Sequence, residues 1–472
     1  GGRNDNPAEV LAMLVGTGAW SLVDGRFDFW TQLARIGFPF VLGVGFLVPW
    51  VRRAYAPFGA GRVWLGALVL AVAFAKILIG AWYHDDWTVG PASPLAAAGT
   101  AARAADRADW PAYGGDDGGT RYSPLADITP ANVGNLKVAW TYHTGDFPWT
   151  GKGLPRRLEV TPMMIGDSRY LCTGRSKIVA LDAETGAERW SFDPKVDMGR
   201  VDGAAGCRGV AYYKLPAAQP DQPCAERVYT AAIDGRLIAV DARTGKQCTD
   251  FGNGGEVDLT QGLGDVIPGY YTVTSAPAVV RGRIVVGGRI SDGQFVGEPG
   301  GVIRAFDAVT GALAWAFDPG NPTVHSAPPE GGHYVRATPN SWAPMSVDDA
   351  AGLVFVPTGN ATPDYFGAGR TQLDDTYSSS VIALDAETGA PRWVFQTTHH
   401  DLWDYDVASQ PSLVDLAVKG ETVPALLQPT KRGQLFLLDR RNGRPLTDIA
   451  ERPVPQTDVP GERTSPTQPF ST

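Results

Sequence analysis

A short repeated pattern in the later part of the chain restricts the possible folds more than any other feature. Each copy has an apolar run, an Asp-x-x-Thr-Gly or Asp-x-x-Asn-Gly step and a second run. The copies occupy residues 180–190, 239–248, 305–315, 383–393 and, more loosely, 437–446. Glycine can adopt the positive φ of a tight turn, and an Asp side chain can bond the turn amides. Each copy therefore predicts a hairpin of two short strands.

The spacing of the copies predicts one small sheet for each. Their first residues (180, 239, 305, 383 and 437) lie 54 to 78 residues apart, and such sheets can bury their faces only against one another. A β-propeller, a radial stack of four-stranded blades, meets this requirement and protects the sheet edges. The tryptophans that end three copies are expected to wedge between neighbouring blades: Trp190, Trp315 and Trp393. A β-sandwich with coincidental turns is the alternative.

Two apolar stretches ahead of the repeats predict a membrane anchor. Sixteen uncharged residues separate Arg35 from Arg52, and 21 residues with Lys76 as their one charge separate Arg62 from His84. A membrane-spanning helix needs about 20 apolar residues, and a slightly short stretch flanked by Arg is tolerated. Buried helices of a soluble domain are the alternative.

Basic residues set the expected orientation of this anchor. Arg52, Arg53 and Arg62 lie in the short loop between the two stretches, which places that loop in the cytoplasm. Everything downstream then faces the periplasm of a Gram-negative-type cell. The predicted organisation is an anchor of two or three helices at 1–84, a linker at 85–108 and a propeller at 109–472. Because five copies do not close a ring of large blades and the first residue is not Met, we expect a fragment truncated at both ends.

Charge and cysteine content narrow the possible partners. A formal net charge of −9 and a pI near 5.2 exclude nucleic acid as an expected partner. The four cysteines all follow the predicted anchor, and an even number in an oxidising compartment favours disulfides. Cys224 with Cys248 is the favoured pair because it would clip a hairpin, and Cys172 with Cys207 is the weaker of the two expectations. The sequence has neither a C-x-x-C redox pair nor a C-x-x-C-H haem attachment motif.

One segment, residues 397–411, carries an unusual density of ionisable side chains. It reads T-T-H-H-D-L-W-D-Y-D-V-A-S-Q-P, and its ionisable members are His399, His400, Asp401, Asp404 and Asp406. Buried carboxylates are costly unless they are paired, hydrogen-bonded or bound to metal. The segment is therefore a candidate site, and a solvated acidic turn is the alternative.

Other loops next to predicted strands carry residues that complement this segment. They contribute Asp292, Trp342, Asn360 and Lys431. In a propeller, loops from successive blades converge at the central channel, so residues far apart in sequence can meet there. With Asp404 they would supply a carboxylate and an amide oxygen for a hard cation, a second carboxylate, an ammonium group and an aromatic floor.

Four motifs give the chain a family resemblance: C-R-G-V-A-Y, N-S-W-A-P, H-H-D-L-W-D and P-T-K-R-G. With the anchor and the repeats, they resemble the membrane-bound quinoprotein dehydrogenases that use pyrroloquinoline quinone (PQQ), the glucose/quinate/shikimate group. The resemblance implies an eight-bladed, PQQ-binding propeller that is incomplete here. It also implies a multi-pass inner-membrane protein that oxidises a sugar or cyclic polyol and passes the electrons to ubiquinone.

The resemblance implies a role for each residue around the cofactor. Asp404 matches the general base that takes the substrate's hydroxyl proton, and Lys431 matches the residue that contacts the quinone oxygens. Trp342 matches the floor under the cofactor ring, and Arg208 is a partner for a cofactor carboxylate. A bound cation would polarise the quinone carbonyl, and Lys431 would favour charge on the reduced oxygen.

The resemblance also implies a divalent ion, Ca²⁺ or Mg²⁺. Asp292 and Asn360 match positions near that ion, and Thr362 is a further candidate in the Asn360 loop. Two positions depart from glucose-oxidising members, which carry His at the position of Ala204 and Asn at the position of Gly293. The first weakens glucose as substrate, and the second implies altered ion coordination.

Two other functions are left open by the sequence. A non-catalytic propeller scaffold would have no reason to gather these polar residues. A PQQ-dependent alcohol dehydrogenase is the other alternative, but its soluble members carry adjacent paired cysteines, which this chain lacks.

Overall fold

The computed structural model of the protein describes residues 109–146, 157–201, 206–219, 221–293, 296–418 and 420–471. The predicted membrane anchor and linker lie outside these residues. Within the described ranges, no helix has the length and apolar character needed to cross a membrane.

Five antiparallel sheets follow one another along the chain, and we call them blades 1 to 5. Blade 1 contains β1 (Met163–Ile165), β2 (Ser168–Cys172), β3 (Ile178–Asp182) and β4 (Glu188–Phe192). Blade 2 contains β5 (Ala211–Lys214), β6 (Glu226–Ala232), β7 (Arg236–Asp241) and β8 (Glu256–Asp258). Blade 3 contains β10 (Ala278–Val280), β11 (Arg283–Val286), β13 (Ile303–Asp307) and β14 (Leu313–Phe317). Blade 4 contains β15 (Ser346–Asp348), β16 (Leu353–Pro357), β17 (Ser380–Asp385) and β18 (Pro391–Gln396). Blade 5 contains β19 (Ser412–Val418), β20 (Glu421–Pro429) and β21 (Leu435–Asp439).

The remaining described elements are short. Two strand pairs lie outside the blades: β9 (Tyr271–Thr272) with β12 (Arg289–Ile290), and β22 (Ile449–Pro453) with β23 (Thr467–Ser471). Single 3₁₀ turns occur at Val133–Asn135 and Met198–Arg200. Helix α1 (Gln372–Tyr377) begins with a capping box, in which Thr371 and Asp374 satisfy each other's backbone amides.

The repeat hairpins are confirmed in three copies and are wrong in part for two. Copies one, three and four form β3–β4, β13–β14 and β17–β18. In copies two and five the second strand is reduced to one bridge, Val240 with Gln247 and Leu438 with Pro445. Pro445 has no N–H to donate to a ladder, and the chain after Gln247 is redirected by a disulfide at Cys248.

The apolar cores lie between successive blades. One core joins strands of blades 1 and 2, the next joins blades 2 and 3, and the pattern continues to blades 4 and 5. For example, Val285 of blade 3 packs in the same cluster as Ile382 of blade 4. Face-to-face burial between neighbours is the arrangement predicted for propeller blades.

The predicted wedging of the repeat tryptophans is confirmed, and the turn glycine is its partner. Trp315 Nε1 donates to the carbonyl oxygen of Ala386 in the next blade at 2.9 Å. A Cβ on Gly389 in that turn would lie 2.6 Å from the Trp315 ring. Trp190 and Trp393 have the same relation to Gly245 and Gly443, respectively. The glycine therefore serves the positive φ of its own turn and the packing of the preceding blade.

Both expected disulfides are present. Cys224 with Cys248 closes the β6–β7 hairpin, as expected. Cys172, at the end of β2, bonds to Cys207, which lies in the loop before β5. The second bridge ties blade 1 to the loop that carries Arg208.

Candidate active site

The candidate residues all lie in loops at one end of the blades. Three kinds of loop share one end of a four-stranded antiparallel sheet. They are the loop before the first strand, the loop between the second and third strands, and the loop after the fourth strand. Arg208 and Trp342 precede the first strands of blades 2 and 4, and Asp404 follows the fourth strand of blade 4. Asp292, Asn360, Thr362 and Lys431 lie between second and third strands. We call this end the site end and the opposite one the turn end.

The loop after β18 is held by a buried carboxylate. Asp401 is fully buried and accepts hydrogen bonds from Ser379 Oγ at 2.6 Å and from the backbone N–H groups of Trp403 and Tyr405 at 2.9 and 2.6 Å. Asp404 is held at φ = +60°, a left-handed conformation uncommon for a non-glycine residue. Strain of this kind persists where surrounding contacts fix the loop.

The alternative of a solvated acidic turn is wrong for most of this segment. His400, Asp401 and Asp406 are all buried. His400 lies between two carboxylates: its Nδ1 is 2.6 Å from Asp375 Oδ1 and its Nε2 is 3.3 Å from Glu462 Oε1. The segment is therefore anchored to α1 and to the connection between β22 and β23.

A compact network joins Asp404 to Lys431 and Trp342. Lys431 Nζ donates to the backbone oxygen of Asp404 at 2.8 Å, to Asp404 Oδ1 at 3.2 Å and to Asp406 Oδ2 at 3.1 Å. Asp406 Oδ2 also accepts from Trp342 Nε1 at 3.0 Å. Asp406, which is buried, thus fixes both the ammonium group and the indole beside the predicted base.

Arg208 faces the ring of Trp342. Its guanidinium carbon is 5.3 Å from the ring centroid, and Lys431 Nζ is 5.9 Å from it, both within range for a cation–π contact. Arg208 is held by Thr274 Oγ1 at 2.6 Å and by Glu159 Oε2 at 2.9 Å. An aromatic face with two cations beside it suits a planar, anionic ring system such as PQQ.

The predicted ion-binding residues, Asp292 and Asn360, also lie at this end. Their side chains contact other polar groups of the site loops. Asp292 Oδ2 accepts from Asn340 Nδ2 at 2.7 Å. Asn360 is fully buried, and its Nδ2 donates to the backbone oxygens of Asp364 and Asp401 at 2.9 and 3.0 Å. Its Oδ1 accepts from the N–H of Ala361 at 3.0 Å. The Asn360 side chain therefore ties two site loops together.

Thr362 is buried in the same loop as Asn360. Its backbone N–H donates to the carbonyl oxygen of Ala337 at 3.2 Å. Thr362 therefore lies in the same site loop as Asn360, and its role toward the cofactor stays a prediction.

Five carboxyls at the site end have raised pKa values: Asp292, Asp318, Asp364, Asp401 and Asp404. Burial, followed by the charge of Asp406, raises the pKa of Asp404 to about 7 and that of Asp292 to about 6. Burial and the charges of Asp292, Asp404 and Asp406 raise the pKa of Asp364 to about 8. Burial lowers the pKa of Lys431, but the charges of Asp406 and Asp404 outweigh it, so this pKa is raised. A cluster of like charges with this profile is typical of a functional site.

The donor set fits a hard divalent cation. Among the described residues, Asp364 Oδ1 and Asn340 Oδ1 are buried without a hydrogen-bond partner. Carboxylate and amide oxygens are the ligands that Ca²⁺ and Mg²⁺ prefer. In the described part of the chain, the one trio of His, Cys, Asp or Glu ligand atoms that all lie within 4.8 Å of one another is Cys224, Cys248 and Asp250. Its cysteines form a disulfide, so no cage of three carboxylates is preformed.

Sequence reasoning missed two contributors to the site, Asp364 and Asn340, and assigned no role to a third, Asp406. Asp406 was visible in the D-x-D step of the acidic segment, Asp364 follows Asn360 by four residues, and Asn340 precedes Trp342 by two. All three lie in a motif, segment or loop already singled out. The hydrogen bonds that build the site nevertheless join residues that are 46 to 64 positions apart: Asn360–Asp406, Asn340–Asp292 and Trp342–Asp406.

Comparisons with known proteins agree with the geometry. A PQQ-type family profile, "Glucose/ethanol/alcohol dehydrogenase, beta-propeller domain", matches residues 110–472. The glycerol dehydrogenase large subunit of Gluconobacter oxydans (strain 621H) is 49% identical over 366 residues, which cover 77% of this chain and 49% of that protein. Quinoprotein glucose dehydrogenase A of Acinetobacter calcoaceticus is 40% identical over 479 residues, covering 98% of this chain and 60% of that protein.

A solved structure gives the same result. The quinohemoprotein alcohol dehydrogenase of Comamonas testosteroni matches with a TM-score of 0.59 and 30% identity, over 79% of this chain and 53% of that one. The chain spans about half the length of the relatives it matches.

Proposed function

The chain belongs to the β-propeller family of PQQ-dependent dehydrogenases, and on that premise we propose that the protein is a membrane-bound quinoprotein dehydrogenase. In this proposal it oxidises a CH–OH group of a sugar or cyclic polyol and passes the electrons to ubiquinone. The observation that carries the proposal is the network in which Asp406 fixes Lys431 and Trp342 beside Asp404.

Asp404 is the general base in this mechanism. A base that works near neutral pH needs a pKa close to the working pH, and the pKa of Asp404 is about 7. Its side chain is one-third exposed, so a substrate hydroxyl can reach it. A bound cation and Lys431 would favour the ionised form of Asp404 and oppose the burial that raises its pKa.

The other residues hold and orient the cofactor. Trp342 would offer the stacking face, Arg208 would pair with a cofactor carboxylate, and Lys431 would stabilise the negative charge that develops on the reduced quinone. Asp292, Asn360 and Thr362 line the ion side of the site. When bound, PQQ and its divalent ion would supply the hydride acceptor for the substrate carbon, and Asp404 would take the hydroxyl proton.

Polyols are the favoured substrate class. The relative with 49% identity is named for glycerol, and the relative matching 98% of the chain is named for glucose. Ala204 replaces a His of glucose-oxidising members, which disfavours glucose and leaves quinate, shikimate or another polyol. The match to the glycerol dehydrogenase large subunit is a specific reason to test a linear polyol as well.

The membrane location and the acceptor are part of the same proposal. The apolar stretches before residue 84 would anchor the protein in the inner membrane, with the propeller at 109–472 in the periplasm. The match to the glucose dehydrogenase over 98% of the chain supports a shared organisation that includes this region. A membrane anchor and the absence of a haem attachment motif in the sequence favour ubiquinone as electron acceptor.

A reconstitution assay tests the proposal. The longest form of the protein that its gene encodes is purified and loaded with PQQ and Ca²⁺ or Mg²⁺, and dye reduction is followed with glucose, quinate, shikimate and glycerol. We expect turnover with at least one polyol and none with Asp404→Asn, whereas the turn-end variant Asp385→Asn retains it. Absence of PQQ binding and of turnover with either ion would overturn the proposal and favour a scaffold.

A further inference from the structure

Among the buried oxygen atoms at the site end that have no hydrogen-bond partner within the described residues are Asp364 Oδ1 and Asn340 Oδ1. Asp364 is 6% exposed and Asn340 is fully buried. An unpaired buried carboxylate or amide oxygen costs free energy that a bound cation would recover. Both residues lie outside the set that the sequence assigned to the ion.

The two side chains converge on Asp292. Asn340 Nδ2 donates to Asp292 Oδ2, which fixes the amide beside that carboxylate. The backbone next to Asp292 leaves room for Asp364, because a Cβ on Gly293 would lie 3.4 Å from Asp364 Oδ2. Gly359 leaves similar room on the other side, where a Cβ would lie 3.0 Å from Asp406 Oδ1 and 3.4 Å from Asn340 Nδ2.

The nearby cations do not neutralise this group. Lys431 donates to Asp404 and Asp406. Arg289 and Arg370 interact electrostatically with Asp292 and Asp364, respectively, and the Arg370 guanidinium donates to backbone oxygens of Ala361, Pro363, Asp364 and Asp401. Within the described part of the molecule, neither Asp292 nor Asp364 forms a side-chain ion pair.

We propose that Asp364 and Asn340, together with Asp292, bind the divalent cation of the cofactor site. This assignment rests on the proposed function. Asn360 also positions this group, because its amide nitrogen donates to the backbone oxygens of Asp364 and Asp401. Two carboxylates and an amide oxygen in separate loops form an adaptable site, which favours Ca²⁺ over the smaller, geometrically stricter Mg²⁺.

Ion binding is measured directly, without turnover. The full chain is stripped with a chelator and titrated with Tb³⁺, whose luminescence is excited through a nearby tryptophan such as Trp342, and Ca²⁺ or Mg²⁺ then displaces the probe. Titrations are made with and without PQQ. We expect Asp364→Asn to weaken Ca²⁺ binding on the order of 10- to 100-fold and Asn340→Leu on the order of 10-fold.

Asp318→Asn is the matched control. Asp318 is also buried at the end of a strand, but its carboxylate accepts from the backbone N–H groups of Gly320 and Val335. We expect this variant to bind Ca²⁺ like the wild type even where its unfolding temperature falls. Asn340→Leu carries the test if Asp364→Asn fails to fold.

Thermal unfolding separates an ion ligand from a merely structural residue. In chelator, Asp364→Asn replaces a carboxyl whose ionisation the neighbouring carboxylates oppose, so its Tm should equal or exceed that of the wild type. In saturating Ca²⁺ the order should reverse, because the wild type gains more from the ion. A lower Tm of the variant under both conditions would overturn the assignment.

The outcomes also separate this inference from the proposed function. A wild type that binds neither Ca²⁺ nor Mg²⁺, with or without PQQ, contradicts the proposed cofactor site and the inference with it. If the wild type binds the ion and both Asp364→Asn and Asn340→Leu bind it equally well, the assignment of these two residues is overturned while the proposed function stands.

Discussion

The turn end and the site end of the blades use the same residue type in opposite ways. At the turn end, the repeat aspartates all have lowered pKa values: Asp182, Asp241, Asp307, Asp385 and Asp439. At the site end, those of Asp292, Asp364 and Asp404 are raised. The identity of the residue does not decide whether a carboxylate stabilises the fold. The balance between its burial and its hydrogen-bond donors does, since buried Asp401 accepts three hydrogen bonds and still has a raised pKa.

Asp385 illustrates the turn end. Its Oδ1 accepts from the N–H of Thr388 at 2.9 Å and from Thr388 Oγ1 at 2.9 Å, and Arg392 donates to its Oδ2 at 2.6 Å. Burial would raise the pKa of Asp385, but the hydrogen bonds from Arg392 and Thr388 outweigh it. The ionised form is therefore favoured in the folded chain.

Asp364 illustrates the site end, because its carboxyl group is buried and one of its oxygen atoms has no hydrogen-bond donor among the described residues. Its Oδ1 has no partner in the described part of the chain, and three other carboxylates act on it. Such an arrangement opposes folding unless a cation is bound. The aspartate of every repeat turn has hydrogen-bond donors, whereas Asp364 Oδ1 has none within the described ranges. A departure from such a local rule is typical of a functional site.

The largest predicted effect follows from removing the charge of Asp404. We expect Asp404→Asn to lower kcat by about 10²–10⁴-fold, the usual contribution of a positioned general base. Stability in the absence of ions should not fall, because one of the repelling charges is removed. Steady-state turnover and thermal unfolding of the same preparation check both expectations. A variant that keeps its turnover would contradict the role of Asp404 and remove the functional meaning of the site end.

Much of the turn end could be predicted from the sequence because its interactions are local. The Asp and Gly of each turn are four residues apart, and the tryptophan packs on the equivalent glycine of the next copy, as in Trp315 with Gly389. The prediction failed where local chemistry changed, at Pro445 and at the disulfide-bonded Cys248. These two sites show that the repeat is modified by single residues.

The site end could be predicted only in part. Asp404, Lys431 and Trp342 were found because each stands in a conspicuous motif, and the structure brings them together. Asn340 and Asp364 were not found, because their roles depend on contacts with residues in other loops. The bond from Asn340 to Asp292 spans 48 residues. A single sequence has no periodicity that encodes such a contact.

A second prediction concerns packing at the turn end. Gly389→Ala places a Cβ 2.6 Å from the Trp315 ring at a residue with φ = +74°. We expect a loss of about 2–5 kcal/mol in the free energy of unfolding, from the left-handed backbone and from overpacking together. Gly166→Ala is the matched control, because Gly166 has φ = +57° and no described atom within 4 Å of its Cβ position. The control should lose about 1–2 kcal/mol, from the backbone alone.

Urea unfolding of the two glycine variants measures the difference. Equal losses would show that the tryptophan does not depend on the glycine. The turn glycine would then be needed only for the backbone conformation of its own turn. Its contact with the tryptophan of the preceding blade would not contribute to the free energy of unfolding.

The third prediction is a pH dependence with opposite signs at the two ends. The site carboxyls, with pKa values of about 6, 7 and 8, retain protons in the folded chain that they lose near pH 4 when unfolded. In chelator, the free energy of unfolding should therefore fall as the pH rises from about 4 to 8. The turn aspartates, with lowered pKa values, act in the opposite direction and add stability as the pH rises from about 2 to 4.

Urea unfolding at a series of pH values tests this prediction, and Asp364→Asn should flatten the upper limb. Saturating Ca²⁺ should flatten it as well, because the ion favours ionised ligands. A wild type in chelator whose stability is constant from pH 5 to 8 would show that the site carboxyls are not under strain.

The smallest predicted effect is the loss of one turn aspartate. Asp385→Ala removes the acceptor for Thr388 and Arg392 and should lower the free energy of unfolding by about 1–2 kcal/mol at pH 7, without altering kcat. Asp221→Ala is the control, because the Asp221 side chain is fully exposed in its pair with Arg243 and should contribute almost nothing. The difference between Asp385→Ala and the wild type should narrow as the pH falls below 4, where the wild-type carboxylate takes up its proton. If Asp385→Ala instead lowered kcat, the two ends of the blade would be coupled, and the division between a structural end and a functional end would have to be abandoned.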